Sequence, residues 1–159
     1  MEIREAKLKD VKQIAIIMEQ ISRIHYENRP EIFKEKSKKE IEDDVIQTIK
    51  NKERTILVAT DESLNICGVL IYKIKEVKNH INLKDSRTLW IDELGVDEKC
   101  RKKGIGKTLM KEVEKIAKSE ECSRLELNCW NFNENAIMFY EWQGMVPQRR
   151  IMEKKLGGI

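Results

Sequence analysis

The sequence predicts a mixed α/β fold, in which a central sheet carries helices on both faces. Short segments rich in Ile, Val and Leu alternate along the chain with longer segments whose apolar residues recur every three to four positions. No stretch rich in Gly, Pro or Ser interrupts the 159 residues, and no internal repeat is visible. Because this length suits one domain with its own core, we expect residues 1–159 to form a single unit.

The composition is typical of a globular protein that works in the cytoplasm. Hydrophobic residues make up 40% of the chain and charged residues 37%. The 31 basic and 28 acidic residues leave a net charge of +3, which argues against a dedicated nucleic-acid-binding protein. The longest apolar runs fall far short of the roughly 20 residues that span a bilayer, and the first residues lack the apolar core of a signal peptide. We therefore expect no membrane association and no nucleic-acid partner.

The cysteines and histidines are not spaced as metal ligands. The chain has no C-x-x-C pair, and neither His25 nor His80 stands near the cysteines in a metal-binding pattern. We expect free thiols, as in a reducing cytoplasm, and no metal site. The four cysteines are Cys67, Cys100, Cys122 and Cys129.

The first third of the chain predicts a short strand followed by two helices. We expect the strand over residues 3–6 and a first helix that Asp10 caps and that ends before Pro30. Ser37 and Glu40 form a capping box at the start of a second helix. The apolar positions recur at helical spacing and are Val11, Ile14, Met18, Ile21 and His25 in the first helix and Ile41, Val45, Ile46 and Ile49 in the second.

The middle of the chain changes to a strand pattern. Residues 55–60 and 66–77 are rich in Ile, Val, Leu and Tyr, and the polar residues 61–65 form the turn between these two strands. A polar loop over residues 78–87 leads into a third long strand over residues 88–96.

The last third predicts two helices and two further strands. We expect a helix over residues 106–118, a strand over 125–130, and a short helix that Asn133 caps and Gly144 closes. A last strand is expected over residues 146–154. The complete order, β-α-α-β-β-β-α-β-α-β, predicts a mixed sheet with helices on both faces. The core face of the longer helix consists of Ile105, Leu109, Val113, Ile116 and Ala117.

A basic, glycine-bearing turn between the third long strand and the following helix is the most informative segment. The first N–H groups of a helix have no partner within it and carry a partial positive charge. Gly104 and Gly106 let this backbone approach a phosphate closely. The turn therefore predicts an anion-binding site, although a solvated basic helix start would have the same composition. The surrounding basic residues are Arg101, Lys102, Lys103 and Lys107.

Two nucleotide-binding motifs fit this turn incompletely. A Walker A loop requires glycine where Arg101 stands, ahead of the segment Gly106-Lys107-Thr108. A dinucleotide-binding fingerprint requires a third glycine where Leu109 stands, and the turn comes too late in the chain for a first βαβ unit. Each motif therefore lacks a required residue.

Two segments of the chain resemble the GNAT superfamily of acetyl-CoA-dependent N-acetyltransferases. Residues 101–106 match its pyrophosphate signature, which has Gln or Arg, two residues of any kind, Gly, one further residue and then Gly or Ala. Residues 133–145 are similar to its second conserved segment, and only Met145 replaces the usual Phe. The two matches occur in the order of the family, and the resemblance extends from about residue 3 to residue 154.

The resemblance implies a largely antiparallel sheet that is splayed where acetyl-CoA binds as co-substrate. Backbone groups at the end of the third long strand would pair with the pantetheine arm, and the turn would hold the pyrophosphate. Phe139 would lie near the thioester, although core packing alone would also explain this aromatic residue. The cofactor-binding residues implied in this way are Leu94, Gly95, Val96, Arg101, Lys102, Lys103, Gly104, Ile105, Gly106, Lys107, Asn133, Ala136 and Phe139.

The reaction implied by the resemblance is direct attack of an amine on the thioester in a ternary complex. A lysine-type amine has a reference pKa of about 10.4, so a base must take its proton at neutral pH. Asp92 and Glu93 precede the turn, and because strand side chains alternate, we expect only one of them to point into the cleft. Tyr140 matches the proton donor that the family uses for the departing thiolate, although a packed ring with a satisfied hydroxyl is the alternative.

The sequence does not identify the acceptor. Polyamines, amino acids, antibiotic amines, protein N-termini and lysines all stay open, as does assembly into a homodimer. Two other functions also stay open: a CoA-binding sensor without turnover and, against the near-balanced charge, a nucleic-acid-binding module that uses the basic turn. The loop at 78–87 is a candidate lid. The candidate acceptor contacts between the first two helices are His25, Tyr26, Glu27 and Arg29.

Overall fold

A computed structural model describes residues 1–157, which form one five-stranded sheet with helices on both of its faces. Residues 158 and 159, which belong to the predicted single unit, lie outside the described part. Within that part no helix is both long and apolar enough to cross a membrane, and all four cysteines are free thiols, as predicted. The strands are β1 (Glu2–Glu5), β2 (Thr55–Thr60), β3 (Ile66–Val77), β4 (Ser86–Val96) and β5 (Arg124–Leu127). The helices are α1 (Val11–Asn28), α2 (Lys38–Lys50), α3 (Ile105–Ser119) and α4 (Glu134–Trp142), with short 3-10 turns at Leu8–Asp10 and Glu98–Cys100.

The sheet is largely antiparallel and opens between its last two strands. The strands lie in the order β1-β2-β3-β4-β5, and only the pair β4 and β5 is parallel. This pair extends from Thr88 opposite Arg124 to Ile91 opposite Leu127, whereas β4 continues to Val96. Because β5 ends where β4 goes on, the two strands part and leave a gap. The predicted sheet, largely antiparallel and splayed, is thereby confirmed.

A β-bulge lies in β4 beside this gap. Consecutive residues of β3 pair with Ile91 and Glu93, so Asp92 is an extra residue on β4. Glu93 lies opposite Ile71, on the face that packs against α1 and α2. Asp92 contacts Lys73, which is two positions beyond Ile71 on the same face of β3. The expectation that alternation separates the two carboxylates is therefore wrong, because the bulge turns both toward one face.

Each face of the sheet has its own hydrophobic core. On one face, Ile14 of α1 and Val45 of α2 pack against Val58 and its neighbours in the sheet. On the other face, Leu109 and Val113 of α3 are completely buried. Each such side chain contributes about 1.5–3 kcal/mol through its removal from water, so these cores fix the frame around the gap. The predicted helices on both faces and the predicted core side of α3 are confirmed.

The predicted cap of α2 is present, whereas the predicted cap of α1 is absent. Ser37 Oγ accepts the N–H of Glu40 at 3.3 Å, and Glu40 accepts the N–H of Ser37 at 2.7 Å, which confirms the capping box. The side chain of Asp10 does not cap α1, because it accepts hydrogen bonds from Arg4 at 2.7 and 3.0 Å and from the Lys7 N–H at 2.8 Å. The hydrogen-bonded Arg4 guanidinium holds the pKa of Asp10 below its usual range. This carboxylate ties β1 to the entry of α1 instead.

The last predicted strand, over residues 146–154, is wrong. Within the described residues this tail pairs with no strand. Pro147 supplies no N–H, and side chains hold the tail instead, with Arg29 2.9 Å from Glu153. The strand predicted over 125–130 ends at Leu127, and the other predicted boundaries differ from the observed ones by two residues or fewer.

Candidate functional site

The gap between β4 and β5 exposes a free backbone edge. From Glu93 to Val96, one side of β4 pairs with β3, and within residues 1–157 no strand pairs with its other side. A free edge of this kind can hydrogen-bond an extended ligand as a further strand. Leu94, Gly95 and Val96, which the sequence predicted for a pantetheine arm, lie on this edge. Gly95 has no room for a side chain, because α1 packs against it.

The chain leaves β4 through the basic turn and enters α3. Gly104 has a left-handed φ of 75°, and its carbonyl accepts the N–H of Thr108 at 3.0 Å as the first hydrogen bond of the helix. The N–H groups of Ile105, Gly106 and Lys107 have no acceptor among the described residues. They are the free donors of a helix N-terminus, where an anion can bind.

Exposed cations surround these free N–H groups. The carboxylate of Glu98 lies 3.6 Å from Arg23 and 4.0 Å from Arg101, so it contacts both guanidinium groups only loosely. The turn thus combines free donors with excess positive charge, which is the chemistry that binds phosphate groups. The exposed basic residues of the turn are Arg101, Lys102, Lys103 and Lys107.

α4 lies against the start of α3 through Phe139. A Cβ placed on Gly106 would lie 3.1 Å from the Phe139 ring, so glycine allows the close approach of the two helices. Asn133 caps α4 by accepting the N–H of Ala136 at 3.2 Å, as predicted. Phe139 packs into the core on the α3 side and meets Tyr140 edge-to-face at 5.3 Å between ring centroids. These contacts are the ones expected if Phe139 only packs in the core. Its contact with a thioester stays a prediction.

Glu93 carries a carboxyl group that titrates near neutral pH. Burial raises its pKa to about 7, and the adjacent negative charge of Asp92 adds to the shift. Lys36 and Arg54 act in the opposite direction, but burial has the larger effect. A general base at neutral pH needs a pKa in this range.

Tyr140 keeps its proton throughout the neutral range. Burial raises the pKa of the phenol, and the negative charges of ionised Cys129 and Glu93 raise it further. Tyr140 packs against the core on the α3 side, whereas Glu93 lies on the face of the sheet that carries α1 and α2. That Tyr140 and Glu93 act on the same bound substrate stays a prediction.

Asp92 differs from Glu93 in its partners. Its carboxylate lies 3.5 Å from Lys73 and 3.9 Å from Arg54, and its side chain is 18% exposed. The Oδ2 atom makes no hydrogen bond within the described part of the chain. The carboxylate of Asp92 thus contacts two cations, whereas Glu93 has the near-neutral pKa that suits a base.

A cluster of aromatic side chains lies between the end of α1 and the chain that follows β5. His25 stacks on Phe33 with 4.9 Å between ring centroids, and Phe33 meets Trp130 edge-to-face at 5.4 Å. Trp130 stacks on Phe132 at 5.9 Å, and the Arg29 guanidinium lies 5.3 Å from the Trp130 ring. The sequence pointed to His25 and Arg29 but missed the three other rings, because no local motif marks them.

The remaining candidates for acceptor contact lie elsewhere. Tyr26 lines a shallow pocket together with Ile41 of α2, and Glu27 is exposed. The loop between β3 and β4 follows the pair formed by Val77 and Ser86, at one end of this hairpin. The basic turn follows Val96, at the opposite end. The structure therefore does not bring the candidate lid to the turn.

Comparison with known proteins adds independent information. The family model for the acetyltransferase (GNAT) family matches residues 18–145. The uncharacterized protein YdhI of Bacillus subtilis (strain 168) is 35% identical over 86 residues, which span 54% of this chain and only 46% of that protein. The chain thus spans less than half the length of this relative.

Two solved structures resemble the chain over nearly its whole length. A point mutant of the BH1408 protein of Bacillus halodurans is 27% identical, with a TM-score of 0.93 over 98% of this chain and 99% of that one. The aminoglycoside N-acetyltransferase AAC(6')-Iy, solved in complex with CoA, is 12% identical, with a TM-score of 0.75 over 98% of this chain and 93% of that one. At 12% identity the likeness shows a shared fold.

Proposed function

Because the chain belongs to the acetyltransferase (GNAT) family, we propose that it transfers the acetyl group of acetyl-CoA to an amine, which attacks the thioester directly in a ternary complex. The family and the shared fold support acyl transfer in general. The fold shared with AAC(6')-Iy, which was solved with CoA, supports CoA as the carrier of the acyl group. We propose in addition that the transferred group is acetyl and that the acceptor is an amine.

Acetyl-CoA occupies the turn and the free strand edge in this proposal. The N–H groups of Ile105, Gly106 and Lys107 hold the pyrophosphate, and the basic side chains of the turn balance its charge. The edge at residues 94–96 pairs with the pantetheine arm, and residues 133–139 lie along it. The fit is supported by the free N–H groups and the free edge, which no described residue of the protein satisfies.

Glu93 acts as the base and Tyr140 as the acid. Glu93 takes a proton from the ammonium form of the acceptor, directly or through water, and so frees the lone pair that attacks. An N–C bond forms at the acetyl carbonyl carbon, and the C–S bond breaks. Tyr140 donates its proton to the sulfur as that bond breaks, so that a thiol leaves rather than a thiolate. The nitrogen then loses its second proton, through water, to the phenolate, which yields the amide and restores Tyr140. Asp92 is the second candidate for the base.

The free N–H groups at the start of α3 and the free edge of β4 are the observation that carries this proposal, and the pKa values of Glu93 and Tyr140 support it. At neutral pH about half of the Glu93 carboxyl groups are ionised, because the pKa is about 7. The phenol of Tyr140 keeps its proton at the same pH. Two titratable groups whose environments suit them to opposite proton transfers, beside a free strand edge, match the needs of amine acetylation.

Thiol release from acetyl-CoA in the presence of a panel of amines tests the proposal. We expect release that requires both acetyl-CoA and an amine. A CoA-binding sensor would bind acetyl-CoA in a calorimeter and release no thiol with any amine. A nucleic-acid-binding module would instead bind DNA or RNA with a strong dependence on salt. Either result would contradict the proposed acetyl transfer.

A further inference from the structure

Three basic side chains lie on the face of the sheet that also carries Asp92 and Glu93. Lys73 and Lys75 alternate along β3 and therefore point to the same face. Lys75 Nζ lies 3.2 Å from the centroid of the Trp90 ring, which fixes its position. Burial, followed by the charge of Lys73, lowers the pKa of Lys75, and Arg149 from the tail adds to this effect. We call the set that the contacts place here the cationic shelf, and its members are Arg54, Lys73 and Lys75.

The cationic shelf carries more positive than negative charge. Asp92 contacts Lys73 at 3.5 Å and Arg54 at 3.9 Å, but within the described residues its Oδ2 accepts no hydrogen bond from either. Glu93, on the same face, is only about half ionised at neutral pH because its pKa is about 7. Glu126 accepts hydrogen bonds from Arg124 and Gln148 at 3.0 Å each. The ammonium group of Lys73 and part of the guanidinium of Arg54 thus retain donors for a ligand.

We propose that the cationic shelf binds an anionic group of the acceptor, which is therefore an amine that also carries a carboxylate or a phosphate. This inference rests on the proposed function. Asp92 contacts Lys73 and Arg54 and is the neighbour of Glu93 in the chain, so these two cations lie close to the proposed base. An amine held at Glu93 can place an anionic group, a few bonds away, against Lys73 and Arg54. Polyamines carry only positive charge, and the shelf repels them.

Matched amines test this inference directly. Each α-, β- or γ-amino acid is compared with the alkylamine in which a methyl group replaces the carboxylate, and phosphoethanolamine is compared with propylamine. We measure kcat/KM and correct it for the fraction of neutral amine. The anionic member should be favoured by about 10- to 100-fold, the usual worth of a hydrogen bond to a charged group. The two series distinguish a carboxylate from a phosphate, and equal or faster turnover of the alkylamines would overturn the inference.

Substitution of the shelf provides the second test. Lys73→Gln should raise KM for the anionic amines about tenfold, as one charged hydrogen bond is lost, and leave KM for the alkylamines unchanged. Lys115→Gln is the matched control, because Lys115 is an exposed lysine on α3 that pairs with Glu112 at 3.2 Å. Arg54 also donates to the buried Thr48 at 3.1 Å, so Lys73 is the cleaner position. Melting temperature and acetyl-CoA affinity of both variants should equal those of the original chain.

Equilibrium binding separates failure of the shelf from failure of the proposed activity. Calorimetry measures binding of each amine to the protein saturated with CoA and requires no turnover. Binding of anionic amines that depends on Lys73, without acetylation, would support the shelf and contradict the transferase. Acetylation of alkylamines with no preference for anionic amines in either assay would support the transferase and overturn the shelf.

Discussion

Glu93 and Tyr140 owe their proposed roles to one physical cause, which is burial beside the gap. Loss of water disfavours the charged form of each group, so both pKa values rise. For a carboxyl group the rise brings titration to about 7, whereas for a phenol it moves titration farther from neutral pH. The same environment therefore yields a base that is half ionised and an acid that is fully protonated.

Replacement of Tyr140 by phenylalanine tests the proton donor, because the change removes a single hydroxyl group. If Tyr140 protonates the leaving sulfur, kcat should fall by roughly 10²–10⁴-fold, the usual contribution of a positioned general acid. Affinity for acetyl-CoA should barely change, since the hydroxyl matters as negative charge develops on sulfur. The measurements are kcat with the best acceptor, acetyl-CoA affinity and melting temperature. An unchanged kcat, where chemistry limits the rate, would remove Tyr140 from the mechanism.

Glu93→Gln should alter both activity and stability in a pH-dependent way. The original enzyme should gain activity as pH rises through about 7, where Glu93 ionises, and the variant should lack this limb. The native pKa lies above the unfolded value of 4.5, so the native state binds the additional proton and the chain loses stability as pH rises from about 4.5 to about 7. Glutamine avoids this loss.

The melting temperature of the Gln variant relative to the original chain should therefore increase between pH 4 and pH 8. Asp92→Asn is the control, because Asp92 faces Lys73 and Arg54 and its removal leaves these cations without their carboxylate. If Asp92→Asn abolishes the activity limb and Glu93→Gln does not, the base is Asp92.

At the level of single elements, Gly104 shows why the turn requires glycine. A Cβ on Gly104 would meet nothing within 4 Å, so space is not the constraint. The constraint is the φ of 75°, which costs an L-residue about 1–2 kcal/mol. The sequence singled out Gly104 for close approach of the backbone to a phosphate, which stays a prediction, whereas the positive φ of Gly104 and the contact of Gly106 with Phe139 became visible only in the structure.

Gly104→Ala tests whether this turn binds acetyl-CoA, and Gly144→Ala is its matched control. Gly144 also has a positive φ, of 86°, and an added Cβ there would likewise meet nothing within 4 Å. Both variants should lose a similar amount of stability, about 1–2 kcal/mol. Only Gly104→Ala should weaken acetyl-CoA binding, because the strain moves the N–H groups at the start of α3. Equal acetyl-CoA affinity of the two variants in a calorimeter would contradict the assignment of the turn.

The elements that the sequence predicted well are those with local causes. The capping box of Ser37 and Glu40 depends on residues three positions apart, and it is present as expected. The cap at Asp10 failed because Arg4, on another element, takes the carboxylate. The bulge at Asp92 was missed for a similar reason, since the register between two strands leaves no mark in either one.

For the whole molecule, hydrophobic periodicity predicted the sheet, the helices on both faces and the core side of α3. The sequence could not predict whether the tail finds a strand to pair with, because this depends on where β5 ends and which edge it leaves free. It also could not predict that burial raises the pKa of Glu93 to about 7, because this burial depends on how distant elements pack around β4.

Removal of the tail should leave the fold intact, because neither hydrophobic core includes a described residue beyond Met145. Residues 147–157 are exposed, and exposed ion pairs such as Arg29 with Glu153 contribute little to stability. A chain that ends at Val146 should melt within about 4 °C of the original and bind acetyl-CoA equally well.

The tail also carries exposed apolar side chains. Ile151 is 82% exposed and Leu156 is 83% exposed, so both apolar side chains are available to a second copy of the chain. If truncation lowers the melting temperature by more than about 10 °C, well beyond the effect of losing a few surface contacts, the tail packs against something that the single chain does not contain. Sedimentation of the two proteins identifies it, since a change from dimer to monomer on truncation would assign the tail to a homodimer interface.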